Sequence, residues 1–181
     1  VSGLNKLRYS EGGGLRIGAL VTVREIEGSG VVEGHYPVLA RAAHTIGSVQ
    51  TRNVATVVGN VCNAAPSADM VPSLLVLGAK VRIVSLGGER VVPLDEFYLG
   101  PWKTVLKSNE FVSEVQVKRV PGRSGCVYMK HTIRKAMDMA LVGVAVKLVL
   151  DEGDGVCKEA RIALGATAPT PMRAVRAEEV L

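Results

Sequence analysis

Between Gln50 and Asp69 the chain reads QTRNVATVVGNVCNAAPSAD, and this stretch constrains the fold more than any other. It is rich in small and amide residues and follows neither the helical nor the strand period of apolar residues. It is also too apolar for a solvated loop. The expectation is buried, irregular backbone whose N–H and C=O groups must find partners away from water. Such a segment needs regular elements on both sides.

The N-terminal flank supplies them. Leu15-Arg16-Ile17-Gly18-Ala19 alternates as a half-buried strand does, after the run Gly12-Gly13-Gly14. No helix follows those glycines at once, so they read as a hairpin turn and not as a phosphate loop. Thr22 and Glu25 have the spacing of a capping box for a short helix. A second helix opens near Pro37, presents Leu39, Ala42, Ala43 and Ile46 on one face, and ends near Gly47. Beyond the irregular stretch, Ser67 is the expected cap of a further helix, with Asp69 in its first turn and Gly78 as its stop. Pro72 is compatible with that helix only close to its start.

After Gly78 the pattern becomes that of strands. Val81, Ile83 and Val91 flank the turn Leu86-Gly87-Gly88-Glu89, a hairpin, and 93–98 is expected to contain a short helical turn. Val115, Val117 and Val120 mark one more strand, and Cys126, Tyr128 and Lys130 another. The segments 142–150 and 156–164 flank the turn DEGDG as an antiparallel hairpin. Residues 174–181 read as the opening turns of a helix. The run Pro121-Gly122-Arg123-Ser124-Gly125 is the natural place for a boundary, giving domains 1–121 and 122–181. With Val1 in first position and a final pattern that stops mid-helix, both ends read as cuts in a longer protein.

Composition narrows the function classes. Lys and Arg number 22 against 17 Asp and Glu, a net charge of +5, but they are scattered and form no basic stripe with aromatics. That weighs against nucleic-acid binding. Cys62, Cys126 and Cys157 lie far apart without CxxC spacing, and His35, His44 and His131 are isolated, so no metal-ligand set emerges. There is no apolar run of ~18 residues for a membrane span and no export leader, which leaves a cytoplasmic location as the expectation, a peripheral one at the inner membrane face included.

Within the irregular stretch, TVVGN at Thr56, Val57, Val58, Gly59 and Asn60 has the make-up of an anion nest. Gly59 permits a positive φ, successive amides can face a diphosphate, and Asn60 and Asn63 can orient it. The same residues also suit an ordinary tight turn. Asp69 can accept bonds from sugar hydroxyls, or serve only as a charge at a helix start.

The run QTRNVATVVGNVCNAAPSADMVPSLLVLGAKV resembles the second flavin segment of the medium subunits of molybdenum hydroxylases, the carbon monoxide dehydrogenase and xanthine dehydrogenase type. In that family an Arg-Asn pair precedes a Thr-(Ile/Val)-Gly-Gly-Asn loop and an Asn-Ala-Ser-Pro-x-(Ala/Ser)-Asp stretch. YMKHTIRKAMDMALVGVAV, from Tyr128 to Val146, is similar to the family's second signature of Tyr-x-Lys, Arg-(Arg/Lys) and Ala-x-Asp-(Ile/Met)-Ala. GALVTVREIE, VPLDEFYLGPWKT and ARIALGATAPTPMRA fit in order and spacing.

The resemblance implies an α+β FAD-binding fold of the PCMH type, represented by its second subdomain. The start of a C-terminal domain of antiparallel sheet plus helices would follow. It implies FAD as cofactor, with molybdopterin on a large partner subunit and iron–sulfur clusters on a small one. Electrons would pass through those clusters to FAD and on to an external acceptor. By the same resemblance Thr56 to Asn60 would lie along the diphosphate and Asp69 would bind ribityl or ribose hydroxyls. Ile46 and Val112 would pack near the cofactor, and Lys130 would influence the flavin's charge, although an exposed strand lysine is the alternative for Lys130. Arg134 and Asp138 are expected to form a structural pair, and no residue is assigned as general acid or base.

Two departures qualify this. Val58 stands where the family has the first Gly of a pair, and an earlier Gly-rich loop of the family has no counterpart before Leu15. The isolated chain is therefore expected to be inactive, and apolar surface around Ala163, Val175 and Val180 is expected to favour self-association. A scaffold with an empty flavin site and a molybdenum-independent flavin oxidoreductase of the same fold are the alternative readings.

Overall fold

The computed structural model describes residues 3–134, 137–153 and 155–181. Strand β1 (Leu7–Ser10) turns through 11–13 into β2 (Gly14–Gly18), the hairpin expected from the glycine run. Gly14 is obligatory there: its φ is +71°, and a Cβ would stand 2.1 Å from the Val117 carbonyl oxygen.

Five helices follow before the next long connection. Helix α1 (Val23–Glu27) starts with the capping box, the Glu25 amide donating to Thr22 Oγ1 at 3.1 Å and the Thr22 amide to Glu25 Oε2 at 2.7 Å. Helix α2 (Gly30–His35) has no counterpart among the sequence expectations, because two glycines lower its intrinsic propensity. Its Ser29 cap and the complete burial of Val32 hold it. Helix α3 (Pro37–His44) buries Leu39, Ala42 and Ala43 as expected.

The stretch that was expected to be irregular is largely helical. It forms α4 (Val49–Val54) and α5 (Val57–Cys62), capped by Ser48 and Thr56. Both are too short to persist on propensity, so burial of Arg52 in one and of Val57, Val58 and Val61 in the other must sustain them. Irregular buried backbone is confined to 63–69, where it is satisfied at long range: the Trp102 amide donates to the Ala64 carbonyl at 2.9 Å and the Ala166 amide to that of Pro66 at 2.7 Å.

Helix α6 (Met70–Val76) is buried at every position and ends at Gly78, which has φ +65°. Ser67 does not cap it. Asn60 Oδ1, arriving from α5, accepts from the Met70 amide at 3.3 Å instead.

The hairpin β3 (Lys80–Ser85) and β4 (Gly88–Pro93) and the 3-10 turn Leu94–Glu96 lie where expected. Short strands β5 (Tyr98–Gly100) and β6 (Lys103–Thr104) pair with each other. Strand β7 (Phe111–Val117) then closes a five-stranded antiparallel sheet of order β1-β2-β7-β3-β4. Val120, expected in this strand, falls in the connection that follows it. A four-stranded antiparallel sheet comprises β8 (Ser124–His131), β9 (Val142–Leu150), β10 (Cys157–Gly165) and β11 (Met172–Arg173), in the order β11-β10-β9-β8. Asp154, of the DEGDG segment expected to form this turn, lies outside the described residues. A short α7 (Val175–Glu178) packs against β10.

The helices occupy the space between the sheets: α5 meets β2 and β7, whereas α3 and α6 cover one face of β8–β10. One apolar core runs through both halves, from Leu15 and Ile17 through Leu39 and Leu74 to Ala145 and Ala163. Ala163 is thus fully buried and is no part of an uncovered surface, whereas Val175 and Val180 are exposed. No helix among the described residues is long and apolar enough to cross a membrane.

Candidate functional site

Residues far apart in the chain converge where β8 passes the N-terminal end of α6. In β8, alternate side chains point to the same face of the sheet, so Tyr128 and Lys130 both turn toward the helices. There the Tyr128 hydroxyl donates to Asp69 Oδ1 at 2.8 Å, and Lys130 Nζ donates to Asp69 Oδ2 at 2.9 Å and to the Thr45 carbonyl at 3.1 Å. The Lys130 side chain is only 7% exposed, so it is not a solvated strand lysine. An ammonium carries three N–H donors, and these two bonds leave it one more.

Burial pushes the Asp69 carboxyl above the ordinary carboxylate range, against the opposing pull of Lys130 and Tyr128. The Tyr128 phenol is pushed up as well, first by burial and then by the Asp69 charge. The pair is a desolvated one, and removing either partner would strand the other's charge.

A second network holds the adjoining backbone. Arg52, 6% exposed, donates through Nη1 to the Ile46 carbonyl at 2.9 Å and through Nε to Glu27 Oε2 at 2.9 Å. Glu27 also receives Arg24 and His44. Burial raises its pKa, but hydrogen bonds from Arg24, His44 and Arg52 outweigh that and bring it to about 2. Two cations, Lys130 and Arg52, therefore fix consecutive carbonyls, those of Thr45 and Ile46.

That fixed turn forms one wall of an open cleft of about 520 Å³. Ser48 and Gln50 stand on the same side, with Lys130, Thr132 and Arg134 opposite. The Arg134 amide donates to Asp138 Oδ2 at 2.9 Å and its guanidinium pairs with Asp138 Oδ1 at 3.3 Å, the structural pair that was expected. Lys135 and Ala136, part of the same signature, lie outside the described residues.

The other expected site residues divide. Asn60 joins the cluster by capping α6 beside Asp69. Thr56 caps α5, its Oγ1 accepting from the Gly59 amide at 2.9 Å, and the Val57 amide is taken by the Val21 carbonyl at 3.2 Å. Gly59 has no positive φ and Val58 is a helical residue 6% exposed, so the segment is a helix start and not a nest of the αL kind. The bulk of Val58 goes into the core and demands no unusual backbone. Ile46 lies behind the cleft wall, its carbonyl held by Arg52 and its side chain 8% exposed, and does not line the cleft. Val112 sits inside the five-stranded sheet opposite Ile83, is 3% exposed, and does not line the cleft. Arg52, Glu27 and Tyr128 were not singled out as site residues. Of these, Arg52 carried a signal as the Arg of the Arg-Asn pair and Tyr128 as the Tyr of Tyr-x-Lys, whereas Glu27 carried none.

Comparison with known proteins gives this geometry its setting. Residues 1–119 match the family described as the FAD binding domain in molybdopterin dehydrogenase, and residues 127–181 match the CO dehydrogenase flavoprotein C-terminal domain. The xanthine dehydrogenase FAD-binding subunit of Escherichia coli O157:H7 is 37% identical over 177 residues, covering 97% of this chain and 60% of that protein. The glyceraldehyde dehydrogenase medium chain of Sulfolobus acidocaldarius is 33% identical over 181 residues, covering 99% of this chain and 63% of that protein. A solved carbon monoxide dehydrogenase from Hydrogenophaga pseudoflava superposes with a TM-score of 0.92 at 33% identity, over 98% of this chain and 61% of that one. The chain thus spans about three fifths of the length of the relatives it matches. By both of its matched segments, the chain belongs to the family of FAD-binding medium subunits of the molybdenum-containing hydroxylases.

Proposed function

We propose that this chain binds FAD as the flavin subunit of a molybdenum hydroxylase, taking electrons from the iron–sulfur clusters of a small partner subunit and delivering them to an external acceptor. Substrate oxidation would occur at molybdopterin on a large partner subunit, and the isolated chain would turn over no substrate. The observation that carries the reading is the cleft beside Lys130, whose ammonium is held by Asp69 and the Thr45 carbonyl with one donor to spare. Lys130, Arg134, Ser48 and Thr132 make its walls rich in donors and positively charged. That donor set fits a dinucleotide with anionic phosphates and a ring bearing carbonyl oxygens. When bound, FAD supplies the one- and two-electron chemistry.

The chain's own residues would then bind and orient. Lys130 would place a fixed positive charge near the ring, and Asp69 and Tyr128 would hold that charge in place. Arg52 would keep the wall at Thr45–Ile46 from relaxing. Thr56, Val57, Val58, Gly59 and Asn60 would lie alongside the diphosphate as a helix start whose Val57, Gly59 and Asn60 amides are already bonded within the chain, shaping the site more than donating to it. Asp69 would act chiefly through Lys130, since both its oxygens are engaged.

The test is a flavin titration with potentiometry on the full subunit. Lys130→Met should shift the two-electron potential negatively by about 30 mV or more, roughly 1.4 kcal/mol. An unchanged potential with unchanged affinity would remove Lys130 from the site.

A further inference from the structure

At the opposite end of α6 from Asp69, about 12 Å along the axis, lies a cavity of about 390 Å³ between the end of that helix, the start of β3, the connection after β7 and the face of β9–β10. Its deep wall is unusual in charge. Lys147, 7% exposed, donates to Glu159 Oε1 at 3.0 Å, and Arg161 Nε donates to the same oxygen at 2.6 Å. One carboxylate therefore faces two cations. Burial raises the Glu159 pKa, yet Lys147 and Arg161 hold it below the ordinary range, so it stays ionised as one negative charge facing two positive ones.

The mouth adds to the imbalance, with Lys80 and Lys118 exposed there and Asp95 the only other carboxylate among the lining residues. Arg161 lies against the C-terminal end of α6, where a Cβ on Gly78 would come within 2.7 Å of its Nη1. Among the described residues Lys147 donates to Glu159 alone, one hydrogen bond for an ammonium with three donors. A desolvated cation in excess of its counter-charge is costly unless an anion from outside completes it.

We propose that this cavity binds a phosphate group, its oxygens shared by Lys147 and Arg161 on the deep wall and by Lys80 and Lys118 at the mouth. A tetrahedral oxyanion offers enough acceptors for several cations at once, and charge-assisted bonds of this kind are the strong ones. The group could arrive as free phosphate or as the monoester end of a nucleotide.

Titration with inorganic phosphate and, separately, with AMP, at constant ionic strength and followed by calorimetry and thermal shift, tests this. Saturable phosphate binding is expected in the unaltered protein, roughly tenfold weaker in Lys147→Met for the loss of one charge-assisted bond and weaker in Lys118→Ala. AMP binding with the same dependence on Lys147 and Lys118 would identify a phosphomonoester as acceptable; phosphate binding without AMP binding would identify the free anion. Should Lys147→Met not fold, Lys118→Ala at the solvated mouth carries the same comparison. Absence of saturable phosphate binding, or equal binding by all the variants, would overturn the proposal.

Discussion

The two large sheets of this protein are inverted relative to each other. In the five-stranded sheet the face toward the helices is apolar, with Leu15, Ile17, Val81, Ile83, Val115 and Val117 nearly inaccessible. Its other face carries ion pairs, Arg16 with Glu114 and Arg82 with Glu89. In the four-stranded sheet it is the helix-facing side that bears Tyr128, Lys130, Lys147 and Glu159, while the outward side is aligned across strands as Met129, Val144 and Leu164, and as Val127, Val146 and Ile162. The first sheet stabilises in the usual way, polar side out. The second holds charge inside, where it can be positioned, and leaves half-exposed apolar rows outside. A sheet that carries charges toward its helices must make up their desolvation through pairing, and the Asp69–Lys130–Tyr128 cluster is that pairing.

The largest expected effect breaks this pairing. Asp69→Ala should destabilise by about 3–5 kcal/mol because it strands a buried ammonium, whereas Asp69→Leu combined with Lys130→Met should recover most of the loss. Urea denaturation of the three proteins measures it, and an additive double variant would mean that the pair is not coupled.

Next comes the contrast between the apolar faces. Ile17→Ala, in the closed face of the first sheet, should cost about 3 kcal/mol. Ile162→Ala, on the open face of the second, should cost nearer 1 kcal/mol, in proportion to the smaller area removed from water. Equal losses would show that the second face is covered.

A smaller effect concerns acid. Glu27, held at about 2, contributes stability that is present above its unfolded pKa and lost as pH falls toward 2. Screened by solvent, this amounts to about 1 kcal/mol, and Glu27→Gln should remove that part of the acid slope. Asp69 has the opposite sign. Its raised pKa makes its contribution greatest below the unfolded value and diminishes it as pH rises through the folded one. Stability profiles of Glu27→Gln and Asp69→Asn should therefore diverge from the unaltered protein in opposite directions.

The smallest effect is Met129→Glu, at a side chain 69% exposed, which should change stability by no more than about 0.5 kcal/mol. It should nonetheless reduce the fluorescence of a bound naphthalene sulfonate dye. Undiminished fluorescence would place the apolar surface elsewhere.

Much of this was legible in residue order alone, wherever the signal is local. The capping box at Thr22 and Glu25, the stop at Gly78, and the hairpins around Gly87 and between β9 and β10 all depend on neighbours within a few positions, and each forms as expected. The family signatures were legible too, because they are short runs of defined chemistry. What only the tertiary structure decided are matters of burial and of distant partners. Helices α4 and α5 form from a stretch with no period because the core accepts Arg52, Val57 and Val61. Asn60, ten residues away, caps α6 in place of Ser67. Asp69 meets Tyr128 and Lys130 across about sixty residues of chain, so that a carboxylate suited by its type to accept from a sugar also grips a lysine. Neither period nor spacing encodes such a meeting. It follows from which sheet face packs on which helix, and that is settled only when the apolar surfaces of the whole chain are removed from water together.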